Sequence, residues 1–441
     1  MKINIAIGIF FFSLFSFGQE KENEVKVWSL EDCIAYAKEK SITVKTVGLT
    51  LKTAEVNYEK SKASRLPDLT GSVSQSLSNG NTIDPITSDY VAQQVHSTSP
   101  VLSTSVTLFQ GNQISNQIKQ NKLLVEQNSL YLEEAKNNVA LSITEAYLRA
   151  LYSKEGISIA QNNVMSSEKE VARAKARLDA GSIAMKDYTD AVSQAATNKY
   201  SLIDAKNSYA QQIIILKQLL ELSPEETFEI VSPETENIIV GVVPNKIEVY
   251  KHALNNLPEI KASLINKSVS EKDLDIAKGG FLPTLSLSGS LGSGYTSTQD
   301  FDFLNQMNLN FNQRVGLSLS VPIFNRNQTK AQVQTAKINI EKAELESQTA
   351  EKELYKKVET SWQNATASEE QLEASKVARD AASESYKLAQ KKYELNDLST
   401  TDLVVSQNTY TNAQQNYIQA KYLNILYYQL LQFYQGNEIK L

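Results

Sequence analysis

The sequence predicts an α plus transmembrane β protein built from two tandem structural repeats. Three observations lead to this fold class: the chain repeats itself, each half contains two strand patterns, and each half then contains a very long helix pattern. The repeat aligns Leu66-Pro67 with Leu282-Pro283, and Leu108-Phe109 with Ile323-Phe324. A repeat of this length is a duplicated half of a domain, because solenoid and propeller repeats run to about 20–50 residues. Each half is therefore predicted as helix, strand, strand, long helix, turn and helix.

An N-terminal apolar run and a proline-marked linker predict where the two halves begin and end. An apolar run from Ile3 to Phe17 ends in small residues and is too short for a membrane anchor, so residues 1–18 are expected to be a secretory signal peptide. The remaining boundaries are repeat 1 at 19–222, a proline-marked linker at 223–245, repeat 2 at 246–436 and a C-terminal tail at 437–441.

Alternation of apolar and small polar residues predicts two strands in each half. Leu69 and Val73 alternate with Thr70 and Ser72 in the first of them. The predicted strands lie at about 67–78, 101–109, 281–293 and 314–324. Each is roughly ten residues long, which is the length that a tilted strand needs to cross a bilayer with lipid-facing and lumen-facing side chains alternating. An ordinary soluble hairpin shows the same pattern, so the neighbouring segments decide between the two.

A long proline-free helix pattern follows each strand pair, at 112–180 and at 327–395. Apolar residues recur there every three or four positions, and Asn112 and Asn327 are placed to cap the two helix starts. At 1.5 Å per residue, each helix would reach about 100 Å.

Turn signals end each long helix, and a return helix follows. The turns are Gly181-Ser182 and Asn396-Asp397, and the return helices are predicted at 186–222 and 402–435. A shorter helix also precedes each strand pair, from Leu30 to about Ser64 and from Lys246 to about Lys278.

Composition argues against several functional classes. The formal net charge is −6 with no basic run, so a nucleic-acid partner is not expected. Cys33 is the only cysteine, which rules out an intramolecular disulfide. It lies well inside the predicted mature chain without the small residues of a lipobox, so no N-terminal lipid anchor is expected. His96 and His252 are the only histidines, and neither has a second ligand at metal spacing, so no metal or cofactor is expected. No serine has the histidine and aspartate partners of a catalytic triad, so no enzymatic activity is expected.

The strand count has a geometric consequence. Four membrane strands cannot close a barrel, because closure takes about eight or more strands and open edges are not tolerated in hydrocarbon. Several copies must therefore share one barrel. The long helices would extend from it as a tube across an aqueous compartment, and a barrel joined to such a tube is a conduit.

An ordered set of segments resembles the TolC-type outer-membrane efflux protein family. The segments are Trp28-Ser29-Leu30-Glu31-Asp32-Cys33-Ile34, the Leu-Pro pairs at 66 and 282, Val321-Pro322-Ile323-Phe324-Asn325-Arg326-Asn327 with Ala331, Val333 and Ala336 beyond it, Arg177-Leu178-Asp179-Ala180-Gly181, and Tyr393-Glu394-Leu395-Asn396-Asp397-Leu398 with Asp402-Leu403 beyond it. Each motif is weak alone, but together they run in order from about 29 to 436 and are specific.

The resemblance implies a homotrimer in the outer membrane of a Gram-negative cell, with a twelve-stranded barrel in contact with lipid and a twelve-helix tunnel in the periplasm. It also implies a periplasmic adaptor and an inner-membrane transporter as partners, which would meet the helix tips. The implied docking residues are Gly181, Ser182, Asn396, Asp397 and Leu398.

By position, Asp402 matches an acidic ring that narrows the family's tunnel entrance. Val405 occupies the second acidic position of that motif, whereas repeat 1 carries Asp187 and Asp190 near its own turn. Asp402, Asp187 and Asp190 are therefore the candidate gate residues.

The expected function is that of a passive exit duct in a tripartite efflux or export system. A type I protein-secretion duct would share the same fold, and the sequence does not separate the two. A periplasmic coiled-coil scaffold without a pore is the alternative from another class, and the alternating strand pairs argue against it.

Overall fold

A computed structural model describes residues 27–92, 94–233, 241–395 and 397–441, so the predicted signal peptide at 1–18 and Asn396 lie outside the described residues. The first half contains β1 (Val27–Trp28), α1 (Leu30–Lys40), α2 (Ile42–Ala63), β2 (Thr70–Ser78), β3 (Asn81–Ile83), β4 (Tyr90–Ala92), β5 (Val95–Gln110), α3 (Gln113–Asp179) and α4 (Met185–Leu219). After β6 (Glu229–Ile230), the second half contains α5 (Lys246–Asn256), α6 (Pro258–Gly279), β7 (Thr284–Gly292), β8 (Tyr295–Thr296), α7 (Phe303–Leu309), β9 (Asn312–Ser320), α8 (Gln328–Glu394) and α9 (Thr400–Tyr434).

The helices of the two halves have equal lengths. The long helices α3 and α8 have 67 residues each, and the return helices α4 and α9 have 35 each. The short helices also match, with 11 residues in α1 and α5 and 22 in α2 and α6. The tandem repeat is therefore a repeat of structure as well as of sequence. Within the described ranges, no helix is both long enough and apolar enough to span a membrane.

The expectation of one continuous helix before each strand pair is wrong. The first breaks at Ser41 and the second at Leu257, where the backbone is extended with ψ of 130° and 136°. Pro258 explains the second break, because a proline disfavours helical geometry in the residue before it. Each half thus starts with two short helices that can take different directions.

The expected capping roles of Asn112 and Asn327 are also wrong. Both residues have left-handed backbone, with φ of 61° and 64°, and neither side chain accepts a capping hydrogen bond. The chain turns sharply from strand to helix here, and asparagine tolerates the left-handed region better than most residues. Before Asn112, a Cβ on Gly111 would lie 2.2 Å from the carbonyl oxygen of Gly279, so the turn also packs tightly against α6.

Two of the predicted strands need correction. β5 begins at Val95, six residues before the predicted start at 101, because Pro100 interrupts the sequence pattern and yet lies inside the strand opposite Val73. β9 ends at Ser320, before Pro322, although a strand was expected as far as 324. The segments between the paired strands contain the β3–β4 hairpin in the first half, and β8 and α7 in the second.

Two hydrophobic cores lie where the short helices pack on the long ones. The first groups residues of β1, α1, α3 and α4 with Tyr422 and Ile425 of α9, and the second joins α5, α8 and α9. An aromatic residue from each long helix ties in the neighbouring segment: the Tyr147 hydroxyl donates to the carbonyls of Trp28 (3.1 Å) and Val231 (2.9 Å), and Trp362 Nε1 donates to that of Pro244 (3.0 Å). The predicted linker at 223–245 is therefore attached through β6, which pairs with β1.

Candidate functional site

The four long strands form one antiparallel sheet, in the order β2-β5-β7-β9, and its two faces differ in chemistry. Residues that pair directly across two strands lie on the same face. Pairs on one face include Leu285 with Leu319, Leu287 with Leu317, Val106 with Leu287, and Leu102 with Leu291. Leucine and valine thus predominate on this face, although Thr104 and Gly289 also pair on it.

Within the described chain, much of the apolar face has no cover. Val315 is 80% exposed, Val73 is 72% exposed and Leu317 is 66% exposed. A sheet in a soluble protein buries its apolar face against helices or a second sheet. The apolar face must therefore meet lipid or another chain.

The opposite face of the sheet is lined by hydroxyl groups. The pairs on this face include Ser286 with Ser318, Ser105 with Ser288, Ser103 with Ser290, and Ser74 with Ser99. Ser76 and Ser97 share a hydrogen bond of 2.6 Å between their hydroxyl oxygens. Small uncharged polar side chains of this kind suit contact with water.

Among the described residues, both edges of the sheet are open. Of the long strands, β2 pairs only with β5, and β9 pairs only with β7. The outer backbone groups of β2 and β9 thus have no strand partner in the described part of the chain, and such groups cost several kcal/mol each in hydrocarbon. The sheet is therefore incomplete as it stands in a single chain.

The loops at the end of the sheet far from the helices, which we call the distal loops, are joined by Asp84. Its buried carboxylate accepts hydrogen bonds from the hydroxyls of Thr296 (2.7 Å) and Thr298 and from the backbone N–H groups of Ile86 (2.8 Å) and Thr87 (3.0 Å). Burial alone would raise the pKa of Asp84, but these hydrogen bonds outweigh it and lower the pKa to about 2. The carboxylate thus holds the loops of both repeats together.

At the opposite end, the α3–α4 turn has a glycine-dependent geometry. Gly181 has φ of 71°, its N–H donates to the carbonyl of Leu178, and the Ser182 N–H donates to that of Arg177, each at 2.9 Å. These two bonds form a Schellman motif, which satisfies the last carbonyls of a helix. A Cβ on Gly181 would have no heavy atom within 4 Å, so this turn is open to a partner. In the second turn Asp397 is exposed, its N–H donates to the carbonyl of Lys392, and Leu398 is half-buried.

The three candidate gate carboxylates make local contacts. Asp402 is exposed at the start of α9 and accepts a hydrogen bond of 2.7 Å from the Ser399 hydroxyl, which in turn accepts one from the Asp402 N–H. Asp187 accepts from the Ala184 N–H at 3.2 Å, and Asp190 pairs with Lys186 at 2.6 Å. The single chain does not join the three through any hydrogen bond or ion pair among its described residues.

The sequence did not predict a contact between the ends of α3 and α8. Arg173 of α3 bonds to Glu394 of α8 at 3.0 Å, and Arg177 Nη2 donates to the carbonyls of Tyr393 and Glu394, each at 3.1 Å. Arg177 also lies over the Tyr393 ring, 5.0 Å from its centre. Burial raises the pKa of the neighbouring Glu170 carboxyl, and the positive charge of Arg173 partly offsets this increase. The α3 and α8 ends are therefore held together by two arginines whose partners are more than 200 residues away in sequence.

The described residues contain no cluster of three or more histidine, cysteine, aspartate or glutamate side chains that could hold a metal ion. His96 lies in β5 opposite Leu77, and His252 Nδ1 lies 3.3 Å from the carbonyl oxygen of Tyr434. Cys33 is buried in the first core. The chemistry of the chain is concentrated in the two-faced sheet and in the helix tips.

Known proteins share this arrangement. In sequence, the chain is 24% identical over 295 residues to the outer membrane protein TolC of Escherichia coli K12, which is 64% of this chain and 58% of that protein. It is 21% identical over 387 residues to the outer membrane efflux protein BepC of Brucella suis biovar 1, covering 83% of this chain and 76% of that one. The match thus spans less than two thirds of the Escherichia coli relative.

The fold is that of solved outer membrane channels. The crystal structure of the Campylobacter jejuni CmeC outer membrane channel superposes with a TM-score of 0.78 at 16% sequence identity, covering 100% of this chain and 95% of that one. A family model described as outer membrane efflux protein matches residues 34–221 and 249–433, which is most of both repeats. The chain therefore belongs to the outer membrane efflux protein family, and it is a protein of the Gram-negative outer membrane that extends into the periplasm.

Proposed function

We propose that three copies of this chain form a passive exit duct, in which a shared β-barrel crosses the outer membrane and a tube of helices crosses the periplasm. The observation that carries this proposal is the sheet with one exposed apolar face, one hydroxyl face and two open edges. Lipid would cover the apolar face, and water in the lumen would contact the hydroxyl face.

The strand directions support closure by identical copies. The strands alternate in direction from β2 to β9, so the β9 edge of one copy can pair with the β2 edge of the next without breaking the antiparallel order. A ring of such head-to-tail contacts closes if the rotation per copy permits it. Twelve strands about 4.8 Å apart and tilted by about 40° would enclose a cylinder roughly 24 Å across.

The helices support a duct that reaches across the periplasm. The α3 and α8 helices each span about 100 Å at 1.5 Å per residue and place their turns at the end away from the sheet. An inner-membrane transporter and a periplasmic adaptor would deliver the substrate at these tips, and a duct with no energy source of its own needs such partners. The names of TolC and BepC, an outer membrane protein and an outer membrane efflux protein, are consistent with this role.

Assembly and conductance test the proposal together. Because a four-stranded sheet cannot close alone, we expect a detergent-stable trimer by light scattering and discrete ion conductance in planar bilayers. A monodisperse monomer with full strand content, or a trimer that never conducts, would contradict the duct and favour a scaffold without a pore.

The two sheet faces should respond differently to charge. Leu317 pairs with Leu287 near the middle of the strands, so Leu317→Arg should destabilise the barrel by about 2–4 kcal/mol. Ser318→Arg, one residue along on the hydroxyl face, is the matched control and should change conductance with little loss of stability. The measurement is the thermal midpoint for trimer loss together with single-channel current. Equal damage at both positions would indicate a soluble packed sheet.

We further propose that the two tip turns, at Gly181-Ser182 and at Asn396, Asp397 and Leu398, dock the adaptor. Gly181→Trp should abolish export and leave trimer yield unchanged, because its Cβ would enter open space at the tip and not a core. The left-handed backbone at Gly181 adds strain of roughly 1–2 kcal/mol for any other residue. Gly181→Ala introduces this backbone strain without a large side chain, and it should retain export.

Gly80 provides a control at the other end of the molecule. It also has positive φ, and a Cβ added to it would meet open space, but it lies in a distal loop. Gly80→Trp should leave export intact. Loss of the trimer in Gly181→Trp would instead assign Gly181 to folding alone.

The carboxylates of Asp402, Asp187 and Asp190 would form the gate at the tunnel entrance. Three copies of Asp402 around one axis would attract cations and resist closure through repulsion of like charges. We expect a cation-selective channel that multivalent cations block from the periplasmic side, and a weaker block in Asp402→Ala. Bilayer recordings with the cation added to each side in turn measure this.

Ser399 supplies the matched control for the gate. Ser399→Ala removes the hydroxyl that bonds to Asp402 but keeps the carboxylate. It should lower helix stability by about 0.5–2 kcal/mol and leave the cation block unchanged. If Ser399→Ala weakens the block as much as Asp402→Ala does, then helix capping and not charge explains the effect.

A further inference from the structure

Arg314 is the only lysine, arginine, aspartate or glutamate within β2, β5, β7 and β9, all of whose residues are described. It pairs across the sheet with Ser290, which pairs in turn with Ser103. Arg314 therefore lies on the hydroxyl face. It is the third residue of β9, about 7 Å from the distal end of the strand at 3.4 Å per residue.

The guanidinium of Arg314 has no acidic partner among the described residues of its own chain. The side chain is exposed, and none of the ion pairs between described residues includes it. A neighbouring copy would not supply a partner from its adjoining edge, because β2 contains only threonine, glycine, serine, valine, glutamine and leucine. The charge would therefore remain available in an assembled barrel.

We propose that three Arg314 side chains form an anion-binding ring just inside the outer mouth of the duct, which takes carboxylate and phosphate groups of molecules passing through. This proposal rests on the trimeric duct proposed above. A guanidinium suits such groups because it is always charged and its planar fork donates two parallel hydrogen bonds to one carboxylate or phosphate. Low-dielectric walls around the lumen strengthen the field of the ring.

The other charges near this mouth lie beyond the strands. Asp89, Asp300 and Asp302 are exposed in the distal loops, and the Asp84 carboxylate is engaged by hydroxyl and N–H donors. No lysine or arginine occurs in these loops, at 79–94 and 293–311. Arg314 is thus the only lysine or arginine in the four long strands and the two distal loops, and it lies inside a rim of carboxylates. Its removal should change anion binding without altering that rim.

The test uses tripolyphosphate as a blocking anion on wild-type trimers in uncharged-lipid bilayers at 0.1 M salt. We expect tripolyphosphate to reduce the current, and Arg314→Gln to weaken this block by about tenfold or more, since three positive charges are lost from the lumen. Arg314→Gln should also shift the reversal potential toward cation selectivity. Both effects should shrink at 1 M salt, where the Debye length falls to about 3 Å.

Arg326→Gln is the matched control, because it removes the same charge beyond the opposite end of β9 at another exposed position. Its block should stay at the wild-type value. An equal loss in both variants would mean that total pore charge and not the ring sets the block, and an unchanged block in Arg314→Gln would overturn the ring while leaving the duct intact. Failure of the wild type to conduct at all would instead overturn the duct. The trimer band on unheated gels shows that both variants assemble.

Discussion

Backbone hydrogen bonding at the sheet edges is the constraint on which the rest of the structure depends. The outward N–H and C=O groups of β2 and β9 have no partner within the sheet, and hydrocarbon offers them none. The apolar face adds to the problem, since Val315 and Leu317 have nothing behind them within the described part of the chain. In a membrane, such a sheet is stable only when further strands complete a barrel. In the proposed trimer those strands come from other copies of the chain, and assembly is then part of folding.

The helices distribute stability unevenly along the molecule. Two cores form only where short helices pack on the middle of the long ones, and Tyr147 and Trp362 fasten the adjoining segments there. Near the tips, polar contacts such as the half-exposed Arg173–Glu394 pair join α3 to α8, beside buried apolar residues such as Tyr393 and Leu403. Exposed ion pairs contribute about 0.2–1 kcal/mol each, so the Arg173–Glu394 pair adds little stability compared with the two cores.

Periodicity explains how much of this fold could be predicted. Alternating serine and leucine residues indicated the sheet faces, and the long 3.6-residue pattern located α3 and α8 to within about a residue of 112–180 and 327–395. The errors arose where a residue type has two uses: Asn112 can cap a helix or adopt left-handed backbone, and Pro100 can end a strand or lie inside one. The Asp84 and Arg177 contacts could not be predicted, because they join residues from different repeats.

The hydroxyl face of the sheet contrasts with the charged groups at the helix tips and at the distal end of the strands. Conduction requires binding that is weak enough for release, and a wall of serine hydroxyls offers hydrogen bonds without fixed charge. In the proposed duct, such a wall would discriminate little among passing molecules. Discrimination would then fall to the proposed charged groups, which are the carboxylates of the helix tips and Arg314 near the opposite mouth. In this proposal the sheet provides the passage, and the charged groups at its two ends provide the selection.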